Sequence, residues 1–270
     1  SYAADGFLTM GGIELTTFWG HAVCLGVHEW VDWRVTRDGP EMAAIAERLN
    51  NNDHIYIIAH PQDRGDPYCT GCRWVYPGMR PGPARLIEVW NESWAGKDEE
   101  HSGKNPGGLA LWYEWLNRGL RMVATAGSDV HRPAGYGNSP GFNVVYAEEL
   151  SERGILRALA QGHLYLSSGP TLDFTATGTS GAQAMMGDVL TLDRQIASVN
   201  LVATWSNAPA GGRIRLVADG EVLESLTIDD AGTLGWTIST QQIDWCTLEM
   251  RDGDENMLAL TNPIFFEASS

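Results

Sequence analysis

Over its first 168 residues the chain alternates short apolar runs with amphipathic stretches, and this alternation narrows the possible folds more than any other feature. HIYIIAH (54–60) is a continuous apolar run between polar residues, as in a strand buried on both faces of a parallel sheet. GFLTMGGIEL (6–15), ARLIEVWN (84–91), RMVATAG (121–127) and HLYLSSG (163–169) read as further strands. Between them, EMAAIAERLN (41–50) carries apolar residues at helical spacing behind Pro40. GGLALWYEWLNRGL (107–120) sets Leu109, Trp112, Leu116 and Leu120 on one face, with Gly119 where a helix would end. SERGILRALAQG (151–162) opens on a serine cap and closes on Gly162. Strand and helix in turn are the grammar of a parallel α/β fold, either barrel or open sheet.

From about Leu172 the pattern changes to period two. LDFTATG, SVNLVATWS, RIRLVADGEVLESLTI, LGWTIS and CTLEMRDGDENMLALTN alternate apolar and polar residues. Asp219–Gly220 and Asp252–Gly253 supply hairpin turns between such runs. A small antiparallel sandwich-like domain is therefore expected over 169–270, after a domain over 1–168, with the boundary near SSGPT (167–171).

Polar residues in the first domain fall where the apolar runs end. Glu14 closes the first run, His60 the second, Glu88 and Asn91 the third, and Asp129 and His131 the fourth. In a parallel barrel those ends converge on one face, where active sites are built. Glu14, His21, His60, Asp129 and His131 are residue types that suit zinc, manganese or iron. A lone histidine after a strand is more often a hydrogen-bonded structural residue, but chance would not deliver an acid or histidine to the same end of successive strands. His28, His54 and His163 are assigned to structure, and His101, in KDEEHSGKN, to solvent.

The formal net charge of −16 makes a nucleic-acid surface a poor expectation. No apolar run is long enough for a membrane span. Cys69 and Cys72 form a CTGC in a loop rich in glycine and proline. A local disulfide, two reduced thiols and a metal knuckle are all open readings, and the disulfide is the leading one. A disulfide implies a periplasmic or secreted protein; without it the cytoplasm is the expected compartment. Trp19, Trp74, Trp90 and Trp94 cluster near the expected mouth loops, as core packing or as an apolar wall.

GIELTTFWGH (12–21), AHP (59–61), IEVWN (87–91) and AGSDVHRP (126–133) resemble motifs of the PHP superfamily, the polymerase and histidinol phosphatase metal-dependent hydrolases. CTGCRW (69–74), LALWYEWLNRGL (109–120), GHLYLSSGP (162–170) and LTNPI (260–264) resemble its carbaryl-hydrolase-like branch, so the likeness runs through nearly the whole chain. The resemblance implies a distorted β/α barrel with two or three divalent metals, zinc, manganese or iron, at its C-terminal mouth. Glu14 matches the glutamate of the family's G-x-E, His21 the histidine a few residues later, His60 that of AHP, and Asp129 and His131 the D-x-H pair. Of these, Glu14, Asp129 and His131 are the expected catalytic residues; Asn91, Arg132 and Gln62 are expected to contact substrate. The family's H-x-H on the first strand has no match here. The resemblance thus implies a barrel whose N-terminal strands are missing, whether cut away, left out of the sequence or supplied by a second chain.

The expected activity is hydrolysis of a phosphoester, or of a carbamate or carboxyl ester, in a small-molecule substrate by a metal-activated water. The alternative is a catalytically inactive binding or structural module. The second domain carries no ligand constellation and is expected to shield the first or to mediate homo-oligomer assembly.

Overall fold

The computed structural model describes residues 6–95, 103–133, 137, 140–192 and 198–268. The chain divides into two compact units, Ser1–Pro140 with Val145–Ala160, and Gly141–Val144 with Gln161–Ser270.

The first unit is built on a five-stranded sheet in the order β1 (Gly12–Thr17), β2 (Gly20–Leu25), β3 (Ile55–Ala59), β4 (Leu86–Asn91), β5 (Val123–Gly127). Helix α1 (Glu41–Asn51) packs on β3, and α2 (Lys104–Asn117) on β4. α1 buries Met42, Ile45, Ala46 and Leu49, the stripe its spacing predicts. α2 buries Leu109, Trp112, Trp115 and Leu116, and Gly119 follows its end with φ 78°. α3 (Glu152–Gln161) starts where the Ser151 hydroxyl accepts the Gly154 N–H at 3.0 Å.

The expected β/α barrel is not present among the described residues. The described residues are mostly β, 40% strand against 15% helix, with three helices and several sheets. Among the described residues of the first unit only β3 with β4 and β4 with β5 pair in parallel; β1 and β2 form an antiparallel hairpin, and β2 is antiparallel to β3. The hairpin departs from the expected parallel order because the Thr17 hydroxyl closes a tight turn. It donates to the Gly20 carbonyl at 2.7 Å and accepts the Trp19 N–H at 3.2 Å. The run at 163–169, read as another barrel strand, forms β7 (Leu164–Ser167) and pairs antiparallel with β16 (Met257–Thr261) in the second unit. β1 is an edge of the five-stranded sheet, which does not close on itself.

In the second unit, β10 (Val189–Leu192), β17 (Ile264–Ala268), β15 (Trp245–Arg251), β16, β7 and β6 (Phe142–Val145) follow one another in one sheet. β12 (Arg213–Ala218) joins it beside β15, and β13 (Glu221–Thr227) beside β12. A second sheet runs β14 (Gly232–Ser239), β11 (Ser198–Ser206), β8 (Thr171–Gly178), β9 (Gln183–Met185). Alternate residues of β8 and β11, among them Phe174, Leu201 and Trp205, share one core with Ile214, Leu248, Met250 and Phe266 of the larger sheet. The β12–β13 turn is made by Asp219 and Gly220, both at positive φ, as the Asp-Gly pair predicts.

Candidate metal centre

The strand directions explain which side chains meet. In the β1–β2 ladder Thr16 lies opposite His21, so Glu14 and His21 stand diagonally on one face. His21 also lies opposite Ala59, the last residue of β3, and His60 is the next residue. The His21 and His60 rings are consequently 5.0 Å apart, edge to face. At the far side, β5 ends at Gly127 and the chain turns at Asp129. Each parallel strand leaves the sheet through a non-glycine residue in the left-handed region: His60 after β3 (φ 25°), Glu92 after β4 (φ 57°) and Asp129 after β5 (φ 44°). Such conformations cost energy and persist where surrounding contacts hold them, commonly at sites.

These turns surround a cavity of about 240 Å³ lined by Glu14, Thr16, His21, His60, Asp63, Cys69, Cys72, Glu92, Lys104, Asp129 and His131. All five ligands expected from the sequence are in that wall. Glu14 Oε1 lies 3.1 Å from His21 Nδ1 and 3.6 Å from His60 Nε2. His21 and then His60 hold the Glu14 carboxyl well below the usual carboxylate range, against the opposing effect of burial. Burial disfavours a charged His60, but Glu14, Glu88 and Asp129 together outweigh it and raise the imidazole to about 9. His131 is at the rim, its side chain 82% exposed, with Nδ1 2.9 Å from the Asp129 carbonyl.

A second tier supports this wall. Glu88, inside β4, accepts the His60 N–H at 2.8 Å and Asn91 Nδ2 at 3.1 Å. Burial pushes the Glu88 carboxyl up. Its position depends on Gly127: a Cβ there would come within 1.6 Å of Glu88 Oε1. Asn91 is the hub. Its amide also reaches Asp129 Oδ2 at 3.4 Å, and its Oδ1 accepts from Lys104 Nζ at 2.5 Å. Lys104 Nζ donates further to Glu92 Oε2 at 3.0 Å and is 3.7 Å from Asp63 Oδ2. Asn105 anchors the start of α2 by accepting the Asn91 N–H and donating to the carbonyls of Asn91, Ser93 and Trp94.

The residues expected to contact substrate are placed differently from one another. Asn91 is buried behind the wall, bound to its members. Gln62 packs against Gly107 of α2, and Arg132 is exposed; neither is among the described lining residues. Trp74, Trp90 and Trp94 are buried, the core reading of that cluster. His28 bonds Glu152 at 2.7 Å and His163 bonds Asp188 at 2.8 Å, structural partners in both cases. His101 lies outside the described residues. Asp63, Glu92 and Lys104 escaped the sequence reading. Asp63 follows AHP closely, and Lys104 is one of only two lysines in a chain otherwise furnished with arginine, a signal that went unused.

Cys69 and Cys72 form a disulfide, Cα to Cα 5.5 Å, in the cavity wall. Cys24 and Cys246 are free and buried. No helix among the described residues is long and apolar enough to cross a membrane.

The residues fit a divalent cation on two grounds. Donors of mixed nitrogen and oxygen type converge. In addition, His21 Nε2 is buried with no hydrogen-bond partner, although a buried polar atom is costly to leave unpaired. Searches against protein-family models and against curated proteins return no match for the chain.

Proposed function

We propose that the first unit is a metal-dependent hydrolase of ester bonds, phosphoester or carbamate and carboxyl ester, related to the PHP superfamily whose motifs it resembles. The observation that carries this reading is the unpartnered, buried Nε2 of His21 in a wall shared with His60, Glu14 and Asp129. Glu14, His21, His60, Asp129 and His131 would hold the metal, as two or three ions of zinc, manganese or iron. When bound, such ions supply Lewis acidity and lower the pKa of water.

The protein's own groups have separable tasks. Glu88 fixes the turn at His60 through the backbone N–H. Asn91 keeps Asp129, Glu88 and Lys104 in one network. Lys104, buried, ties Asn91, Glu92 and Asp63 together and offsets part of the wall's negative charge. Asp129 stands beside His131 at the rim side, where an oxygen of its carboxylate is positioned to take a proton from the attacking water.

The test is a screen of the purified chain, stripped with chelator and reloaded with zinc or manganese. Substrates are p-nitrophenyl phosphate, a phosphodiester and an aryl carbamate, with elemental analysis in parallel. Metal-dependent turnover of one class supports the proposal. A chain that takes up no metal and turns over none of the three is an inactive module.

A further inference from the structure

Cys72 is part of the same ligand cluster. One ligand atom each from His21, His60 and Cys72 lie within 4.8 Å of one another, and all three residues are buried. In the disulfide the Cys72 sulfur has no free thiolate to offer a cation. We infer that the Cys69–Cys72 disulfide is a redox switch on the metal site: when it is reduced, the Cys72 thiolate joins His21 and His60 and converts a nitrogen and oxygen site into a sulfur-containing zinc site. The inference rests on the metal-binding part of the proposed function, and not on hydrolysis.

Three features support it beyond the cluster itself. First, His21 Nδ1 faces Glu14 while its Nε2 is buried without a partner, a nitrogen free to ligate. Second, the Cys72 carbonyl lies 3.2 Å from His60 Nδ1, and acceptance of that N–H leaves His60 Nε2 as the ligating atom. Third, contacts besides the disulfide hold the loop. Val75 N donates to the Trp19 carbonyl at 2.8 Å and Trp74 N to Pro61 at 3.2 Å. At Gly71 (φ 74°) a Cβ would come within 1.9 Å of the Thr17 carbonyl, so the loop backbone rests directly on the β1–β2 turn. Cys72 therefore stays beside the two imidazoles after reduction.

The chemistry balances with a dithiol as reductant. Cys69 is half-buried and Cys72 buried, so the incoming thiolate attacks the Cys69 sulfur. The Cys72 sulfur leaves with the bonding pair, as a thiolate next to His21 and His60. The second thiolate of the reductant then attacks the mixed disulfide, releases Cys69 and closes its own disulfide. Two electrons pass from dithiol to protein. Thiolate ligands favour zinc and other soft cations, whereas imidazole and carboxylate suit manganese and iron, so the redox state selects the metal.

Cobalt(II) is the probe, because thiolate ligation to it gives an intense near-ultraviolet charge-transfer band. The full chain is titrated oxidised, and again after reduction with a dithiol and anaerobic desalting, with circular dichroism to check folding. The band should appear only in the reduced chain. Cys69→Ser should show it without reduction, and Cys72→Ser should lack it in both states. Zinc should bind the reduced chain more tightly than the oxidised one, by about tenfold or more, the scale on which supporting ligands act. Cobalt binding that is spectroscopically identical in both wild-type states overturns the switch and leaves the metal site standing. A band that persists in Cys72→Ser also overturns it. No cobalt uptake in either state removes the switch together with the metal reading.

Discussion

Gly127 has no ligand atom, yet the geometry of the site depends on it. Its missing Cβ makes room for Glu88, and Glu88 fixes His60 and Asn91. Gly127→Ala should therefore expel the carboxylate, lowering unfolding free energy by about 1–3 kcal/mol, as overpacked cores do. Urea denaturation measures that loss, and weaker zinc binding should accompany it. Asp129→Asn is the complementary case. Asparagine tolerates the left-handed backbone at this position (φ 44°) and keeps an oxygen for Asn91, so the fold should survive. Loss of the anionic ligand should lower turnover by about 100-fold or more, since even outer partners of metal ligands are worth 10–100-fold. Unchanged turnover at saturating metal would remove Asp129 from the proposed role. The cavity-lining histidines and acids at 14, 21, 60, 129 and 131 were legible because short motifs end on them. Glu92 and Lys104 were not, because their roles arise from a left-handed turn after β4 and from the start of α2, and neither is written in a local residue pattern. α2 starts at Lys104 rather than at residue 107, since Asn105 bonds the loop before it and Pro106 is tolerated in a first turn.

Among the elements, the apolar runs of β3, β4 and β5 were readable as strands, whereas β2 (Gly20–Leu25) and the strand directions were not. An apolar run predicts burial on both faces but carries no arrow. The β1–β2 turn is made by Phe18 and Trp19, bulky residues without the Asn-Gly or Asp-Gly signature, so nothing in the local sequence announced a hairpin. Its real determinant is one hydroxyl, Thr17 Oγ1, which also lies 2.6 Å from the Tyr76 hydroxyl. In the second unit Asp219–Gly220 gave the hairpin away, and β12 and β13 pair as that dipeptide predicts. The CTGC loop makes a prediction of its own. Alkylation of the denatured chain without reductant should label Cys24 and Cys246 and leave Cys69 and Cys72 unlabelled, read by peptide mass. Labelling of the native chain should be slow at both free thiols. Burial raises Cys24 to about 12 and Cys246 higher still, leaving little thiolate to react. A loop so short gains little from its cross-link, so reduction should lower thermal stability only modestly.

For the molecule as a whole, the metal-free cavity sets a pH profile. His60 is raised from its ordinary 6.5 to about 9 in the folded chain, so its contribution is complete below about 6.5 and is lost as pH climbs through 9. Glu14 is lowered from 4.5, so its contribution is complete above about 4.5 and is lost as pH falls further. Both are present together between about 4.5 and 6.5, and the penalty of burying a charged Glu88 grows as pH rises above 4.5, which favours the acid end of that interval. Thermal melts in chelator should peak in that interval, and zinc should move the peak to higher pH because it competes with the His60 proton. A peak that stays in place with zinc would show that His60 is not a ligand. The placement of the indoles gives the protein an optical reporter. Of its eleven tryptophans only Trp205, Trp236 and Trp245 belong to the second unit, so emission reports chiefly on the first. Trp90, stacked edge to face with Trp94, donates its indole N–H to the carbonyl of Glu92 at 3.0 Å, and Glu92 lines the cavity. A cation that pulls on Glu92 should alter that bond and shift the emission of a fluorophore with no access to solvent, so that filling of the cavity could be followed by fluorescence in the unlabelled chain.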